Sequence, residues 1–466
     1  MFGDIVAVLG PKVFDLKGSR LTMQVPRIVI VGGGSPAWTP RIVKDMLLTE
    51  SLSSAHYVLY DVDKAASDLT RALLMKLAKQ LKTNPRITSA DRRASAFRDA
   101  DYFVITISTG GLNAMARDLA IPEDYSIYHT VGDTTGPGGW ARLMRNFEVF
   151  ARLARDFNRY APGAMVLNYS NPMTTLTDVL SRLCLGPVIG LCHGLFENLA
   201  AMKDMYGLES EDQIAVKYAG LNHFFWITHA TTGSVDVIED LNRKLRRRTM
   251  LDLIRKSLAD PMGYKSNHDF ATELFRLTGV MPYLADRHTS EFFPWLITSR
   301  RNIRRYKLVR TSIQYRRQIL RNNRSRITKM LSGNLDKKML TRSREAAADI
   351  IDAHSQGKVF IDVGNVPNSG QISNVALGAV VETAVRVDAN GLAPVSFGAL
   401  PEIVSGFVDP WVASFGMAVD ACFESDRGKA LQALRLDPVC LHLSTAEVND
   451  MGNRLLKAHR RFIPWA

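Results

Sequence analysis

Arg27-Ile28-Val29-Ile30-Val31-Gly32-Gly33-Gly34-Ser35-Pro36-Ala37 is the stretch on which the fold turns. The consecutive branched apolar residues Ile28 to Val31 read as a strand buried on both faces, as in a parallel sheet covered by helices. The glycines that follow form Gly32-x-Gly34-x-x-Ala37, a spacing that lets a pyrophosphate approach the N-terminus of the next helix. That helix is predicted over residues 38–48. A second strand, 57–60, ends at Asp61 and completes a βαβ unit of about 30 residues. A carboxylate at Asp61 accepts from both ribose hydroxyls and repels a 2′-phosphate, so the expected cofactor is NAD rather than NADP.

Working outward, a helix is expected over 65–81 and a buried strand over 102–107, running into Ser108-Thr109-Gly110-Gly111. A helix over 141–160 leads to a strand at 165–167 and the loop Asn168-Tyr169-Ser170-Asn171-Pro172. The strand 188–191 carries Cys192-His193 at its end. This alternation predicts an α/β fold, a Rossmann-like doubly wound sheet that binds ligands beyond the C-terminal ends of its strands. Asp61, Gly110, Asn171 and Cys192 all fall at such ends. Past His223 the pattern changes to longer helical segments with scattered loops, which predicts a mixed α+β C-terminal domain. The expected division is a disordered extension over 1–24 (or a true start at Met23), an NAD-binding domain over 25–191, and a metal and substrate domain over 192–466.

Composition bounds the function. The chain has 466 residues, 46% hydrophobic and 23% charged, the balance of a globular protein too long for one compact core. No apolar run approaches the roughly 18 residues of a membrane span, and no secretory h-region stands at the start. The four cysteines are too sparse for a disulfide framework, so a reducing cytoplasm is expected. The net charge of +13 is concentrated in Arg300, Arg301, Arg304, Arg305, Lys307, Arg310, Arg316, Arg317, Arg321, Arg324 and Arg326. No nucleic-acid motif accompanies them, so the run reads as a solvated helix face rather than a nucleic-acid surface. Some of these arginines could also draw an anionic substrate towards the site.

Three groups of residues carry candidate chemistry. A thiolate at Cys192 and an imidazole at His223, in Gly220-Leu221-Asn222-His223, suit a divalent transition metal with positions left open for substrate; the alternative is a pair of ordinary core residues. Asp286-Arg287-His288 with Glu291 stands between Tyr283 and Phe292-Phe293-Pro294-Trp295. Charges crowded among aromatics suit tuned acids and bases, and equally a surface ion-pair turn. Asp133, before Thr134-Thr135-Gly136-Pro137-Gly138-Gly139, belongs either to a plain turn or to a glycine-rich wall that brings a carboxylate to a cleft.

From Pro26 to about Leu400 the ordered motifs resemble the NAD- and metal-dependent glycosidases of glycoside hydrolase family 4. The resemblance rests on Val31-Gly32-Gly33-Gly34-Ser35, Tyr60-Asp61, the run from Thr106 to Gly111, Gly136-Pro137-Gly138-Gly139 and Asn168-Tyr169-Ser170-Asn171-Pro172. It continues through Gly190-Leu191-Cys192-His193, Gly220-Leu221-Asn222-His223 and Asn365-Val366-Pro367-Asn368. It implies a fold like that of lactate and malate dehydrogenases. It also implies a mechanism outside the two-carboxylate scheme: NAD oxidises C3 of the sugar, a base removes the C2 proton beside a metal-stabilised enediolate, the aglycone is eliminated, water adds at C1, and C3 is reduced again.

In these terms Gly32, Gly34, Ser35, Asp61 and Gly110 hold NAD, and Cys192 and His223 hold Mn2+. Asn171 contacts substrate hydroxyls, Asp286 or Tyr283 is the C2 base, and Asp133 is the leaving-group acid. Relatives acting on 6-phosphosugars carry Asn or Asp after the metal cysteine, whereas His193 here is similar to the α-hexuronidase subgroup. An α-galacturonidase is favoured over an α-glucuronidase, with an α-galactosidase or α-glucosidase as the alternative. Arg287 is the expected partner of the uronate carboxylate, since a guanidinium binds carboxylate bidentately. The resemblance also implies a homo-oligomer, dimer or tetramer. Two readings of other classes stand beside it: a metal-free 2-hydroxyacid dehydrogenase, and an inactive NAD- or nucleic-acid-sensing relative.

Overall fold

The computed structural model describes residues 25–254 and 265–465, so the expectation for residues 1–24 lies outside the described residues. Strands β1 (Arg27–Val31), β2 (His56–Tyr60), β3 (Arg86–Ala90), β4 (Tyr102–Ile105), β5 (Met165–Asn168) and β6 (Val188–Gly190) are parallel and lie in the order β3-β2-β1-β4-β5-β6. This is the doubly wound order, with its reversal between β1 and β4. Alternate side chains of β1 enter different cores: Ile28 and Ile30 pack on one face of the sheet, Val29 and Val31 on the other. The continuous apolar run is therefore what a strand covered by helices on both faces requires.

Two details depart from the pattern read in the sequence. Edge strand β3 is Arg-Ile-Thr-Ser-Ala, with Ile87 alone fully buried, so it carries no apolar run. The helix after Asp133 begins at Gly136, not near residue 141, and runs to Tyr160. Its glycines form a buried first turn because the neighbouring loop lies against them: a Cβ on Gly139 would come 2.6 Å from the Thr134 carbonyl.

The C-terminal half continues the same sheet. Strands β7 (Ala215–Leu221), β8 (Phe224–Thr232), β9 (Val235–Asp236), β10 (Met281–Pro282), β11 (Phe360–Pro367), β12 (Val380–Asp388) and β13 (Gly391–Pro394) are antiparallel. They extend the order as β6-β11-β12-β7-β8-β10, with β13 on β12 and β9 on β8, in one 13-stranded sheet. The seam is narrow, with Asn365 of β11 paired to Gly190 of β6.

Helices Glu402–Glu424 and Thr445–His459 then return to the first half. There Trp140 Nε1 donates to the Ala430 carbonyl at 3.0 Å, and buried Asp118 sits between Arg145 at 2.6 Å and His459 at 2.7 Å. The basic run forms helices Arg300–Arg305 and Ile313–Ser332, whose arginines are mostly exposed; Arg310 pairs with Glu123 and Arg326 with Asp336. Among the described residues no helix is long and apolar enough to cross a membrane.

Candidate active site

The β1 turn is held by backbone: Gly32 and Gly33 N–H both donate to the Tyr60 carbonyl at 2.9 Å. Gly32 has φ +98°, and a Cβ there would meet the Thr106 carbonyl at 2.7 Å, so only glycine closes the turn. Asp61 faces it from the end of β2. One carboxylate oxygen accepts from Gly34 N–H at 2.8 Å and the other from Asp63 N–H at 2.9 Å, leaving each with lone pairs for a ligand. Gly32, Asp61, Ser108, Gly110 and Phe462 line a cleft of about 440 Å³. Ile107 and Ser108 also line a second cleft, about 460 Å³, on the other side of the turn. Two connected clefts flanking a glycine turn, with a carboxylate at one end, suit an extended dinucleotide.

The second cleft gathers residues scattered through the sequence. Ser35, Asp133, Asn171, His193, His223, Tyr283 and Arg287 all line it. His223 is placed by a two-residue hairpin: β7 ends at Leu221, β8 starts at Phe224, and His223 takes a left-handed φ of 63°. Such a conformation is costly for a non-glycine residue and recurs at functional sites. β10 pairs with β8 and seats Tyr283 beside this hairpin, its ring stacked on His223 with centroids 5.9 Å apart.

The hydrogen bonds at His223 fix a tautomer. Arg142 and Arg316 outweigh the effect of burial and hold Asp133 below the usual carboxylate range, so Asp133 is ionised. Thr134 Oγ1 donates to it at 3.1 Å and must then accept from His223 Nδ1, 2.9 Å away. Nε2 is left as a lone pair, the form in which an imidazole binds a metal. Burial lowers the His223 pKa and keeps the ring neutral.

Cys192, at the end of β6, is partly exposed. Close packing and then the Glu382 carboxylate push its thiol pKa up, while the Gly194 backbone and Asn222 side chain bond to it. Glu382 is itself fully buried and accepts from Asn222 Nδ2 at 3.0 Å and Asn365 Nδ2 at 2.9 Å; burial lifts its pKa to about 7. Asn222 thus ties the hairpin of His223 to the Cys192 thiol. Among the described residues no three His, Cys, Asp or Glu side chains gather as a metal cage. A metal held by Cys192 and His223 would have two protein donors, one soft and one borderline, and would complete its sphere with non-protein oxygens. The donor set fits a catalytic rather than a structural ion.

The remaining candidates sort by what they touch. Asn171 lines the cleft; its carbonyl accepts from Arg142 Nε at 2.7 Å and its side-chain Oδ1 has no partner among the described residues. Burial, then Arg41 and His223, bring the His193 pKa down to about 4, so the ring is neutral. Tyr283 donates to Glu197 Oε2 at 3.1 Å, and burial followed by Glu197 and Cys192 raises its pKa.

Asp286 does not line the cleft. Its carboxylate accepts from Phe270 N–H at 3.2 Å and Ala271 N–H at 3.0 Å, at the start of helix Asp269–Thr278. Glu291 likewise serves the scaffold, taking Val131 and Gly132 N–H at 2.8 and 2.9 Å and so holding the loop that carries Asp133. Arg287 reaches the cleft, yet its Nε donates to the Val309 carbonyl at 2.9 Å and its Nη2 to Thr311. Thr134, Arg142, Arg316, Glu197 and Glu382 carry no local sequence signal, because the fold brings each in from a different element.

Comparison with known proteins shows the family to which the fold belongs. Residues 27–208 match the profile of the family 4 glycosyl hydrolases, and 218–440 that of the family 4 glycosyl hydrolase C-terminal domain. An alpha-galacturonidase of Thermoanaerobacter italicus is 28% identical, covering 94% of this chain and 97% of its own. An alpha-galactosidase of Bacillus subtilis is 29% identical, covering 94% and 99%. The crystal structure of lplD from Bacillus subtilis superposes with a TM-score of 0.84 at 29% identity, covering 92% and 99%. The Thermotoga maritima 6-phospho-beta glucosidase, solved with manganese, NAD+ and glucose-6-phosphate, shares the fold at TM-score 0.78 and 21% identity, covering 94% and 99%.

Proposed function

We propose, from the premise that this chain belongs to family 4 of the glycosyl hydrolases, that it cleaves α-linked hexuronosides, α-galacturonides first, with NAD and Mn2+. One observation carries the uronide reading: three arginines, Arg142, Arg287 and Arg316, line the cleft, together with two carboxylate residues, Asp133 and Glu197. Alpha-galacturonidases among the relatives support it. When bound, NAD supplies a reversible hydride acceptor and Mn2+ a Lewis acid for the sugar oxygens.

The protein's own groups do the rest. The Gly32 turn and Asp61 orient the dinucleotide, and Cys192 and His223 Nε2 provide the metal donors. Tyr283 rather than Asp286 takes the C2 proton in this reading, which is supported by its place in the cleft lining beside His223 and by Glu197 Oε2 as the group it can relay to. Asp133, held ionised, acts through Thr134 on His223 and is not set to donate a proton. A reducing cytoplasm fits this reading, because Cys192 serves as a free thiol.

The test is release of p-nitrophenol from α-galacturonide, α-glucuronide, α-galactoside and α-glucoside, with and without NAD, Mn2+ and a thiol reductant. Uronide cleavage that needs both additions, without net NADH, is the expected result. Cleavage of neutral glycosides alone would leave the chemistry standing and remove the uronide. Net NADH formation from a 2-hydroxyacid would replace the glycosidase with a dehydrogenase.

A further inference from the structure

Helix Ile313–Ser332 lies along the substrate cleft, and the residues it gives to the lining are Arg316, Ile319, Leu320 and Asn323. Their spacing of three, four and seven places them on one helical face. The other arginines of this helix do different work: Arg317 donates to Asn113, Arg321 to Gln318, Arg324 to Asp63 and Arg326 to Asp336, all at the exposed surface.

Arg316 alone points a guanidinium at the cleft from this helix. Among the described residues that group makes one hydrogen bond, Nη2 to the Val131 carbonyl at 2.9 Å. Its Nε is shielded from solvent and has no acceptor. Its Nη1 also makes no hydrogen bond among the described residues and, unlike Nε, is not shielded from solvent, so it is the donor that a ligand anion can reach. Arg287 differs, with Nε on Val309 and Nη2 on Thr311, and Arg142 has Nε on the Asn171 carbonyl. Asp133 attracts Arg316 electrostatically without making an ion pair to it.

We infer that Arg316, rather than Arg287, receives the carboxylate of the uronosyl residue being cleaved and sets the preference for uronides over neutral sugars. This rests on the hexuronidase reading above. Arg287 is then a positioning residue that fixes the 309–311 segment from which the helix springs.

The experiment compares kcat/KM of wild type, Arg316→Gln and Arg316→Lys on p-nitrophenyl α-galacturonide and α-galactoside, with NAD binding measured by fluorescence as a check on folding. Arg316→Gln should lower the uronide-to-galactoside ratio by roughly 10- to 100-fold, the scale of a lost charge-assisted bidentate contact. Arg316→Lys, which keeps the charge but not the fork, should fall between. A general disturbance of Asp133 would lower both substrates together and leave the ratio unchanged, and an unchanged ratio overturns the assignment. Loss seen with digalacturonate but not with the p-nitrophenyl uronide would place the contact on the leaving sugar and also overturn it. A wild-type enzyme inactive on every uronide would remove the hexuronidase reading and this assignment together, whereas an unchanged ratio in Arg316→Gln removes the assignment alone.

Discussion

In the proposed site, the chain from Asp133 through Thr134 to His223 makes Asp133 a determinant of metal affinity. Asp133→Asn should weaken Mn2+ binding by about 10- to 100-fold, as loss of a group that orients a metal-bound histidine does. A Mn2+ titration of activity or of paramagnetic resonance reads this directly, and unaltered affinity would break the chain. Tyr283→Phe should lower kcat by roughly 100- to 10,000-fold, the range for a lost general base, while NAD affinity holds. If Tyr283→Phe turns over normally, the base lies elsewhere. The sequence displayed Cys192 with His193, His223, Asn171 and Tyr283 because each falls in or beside a short recognisable motif or cluster. It hid Thr134 and Arg316, because a hydroxyl within a glycine-rich loop and one arginine in a basic run acquire meaning only when the fold turns them inward.

At the scale of elements, the strands with unbroken apolar runs (β1, β2, β4, β5 and β6) were legible to within a residue or two, since burial on both faces leaves no polar interruption. β3 was not, because an edge strand needs only Ile87 inward, and the start of Gly136–Tyr160 was not, because Gly138 and Gly139 serve close packing within the helix rather than a turn. Asp286 illustrates how a polar cluster misleads: its carboxylate secures helix Asp269–Thr278. Burial outweighs those two backbone donors and raises its pKa to about 7. A carboxyl that ionises later when folded than when unfolded contributes stability that is full below about pH 4 and is lost as pH rises through 7. Asp286→Asn should therefore show a shallower fall in Tm between pH 4 and 8 than wild type, while keeping uronide turnover. An equal slope in both proteins would mean that Asp286 is ionised throughout that range.

At the scale of the whole molecule, the alternating strands and helices foretold the doubly wound half, and the mixed character of the rest was legible only as a change of rhythm. That both halves share one sheet was not, since strand pairing between distant segments leaves no local trace. Ligands that bind only the folded chain stabilise it by mass action, by about 2.7 kcal/mol at a hundredfold excess over Kd. NAD should accordingly raise Tm in wild type and leave it unmoved when Gly32 is replaced by valine, which a thermal shift assay would show. The narrow seam has a consequence for how the protein is made. The Asn365 side chain reaches the Gly190 carbonyl across 175 positions of chain, so during synthesis β6 waits as a bare sheet edge until β11 leaves the ribosome. Unpaired edges recruit strands from other molecules. A fragment stopped at residue 208, although it contains all six parallel strands, should come out of the cell as aggregate, and co-expression of the remainder should rescue it.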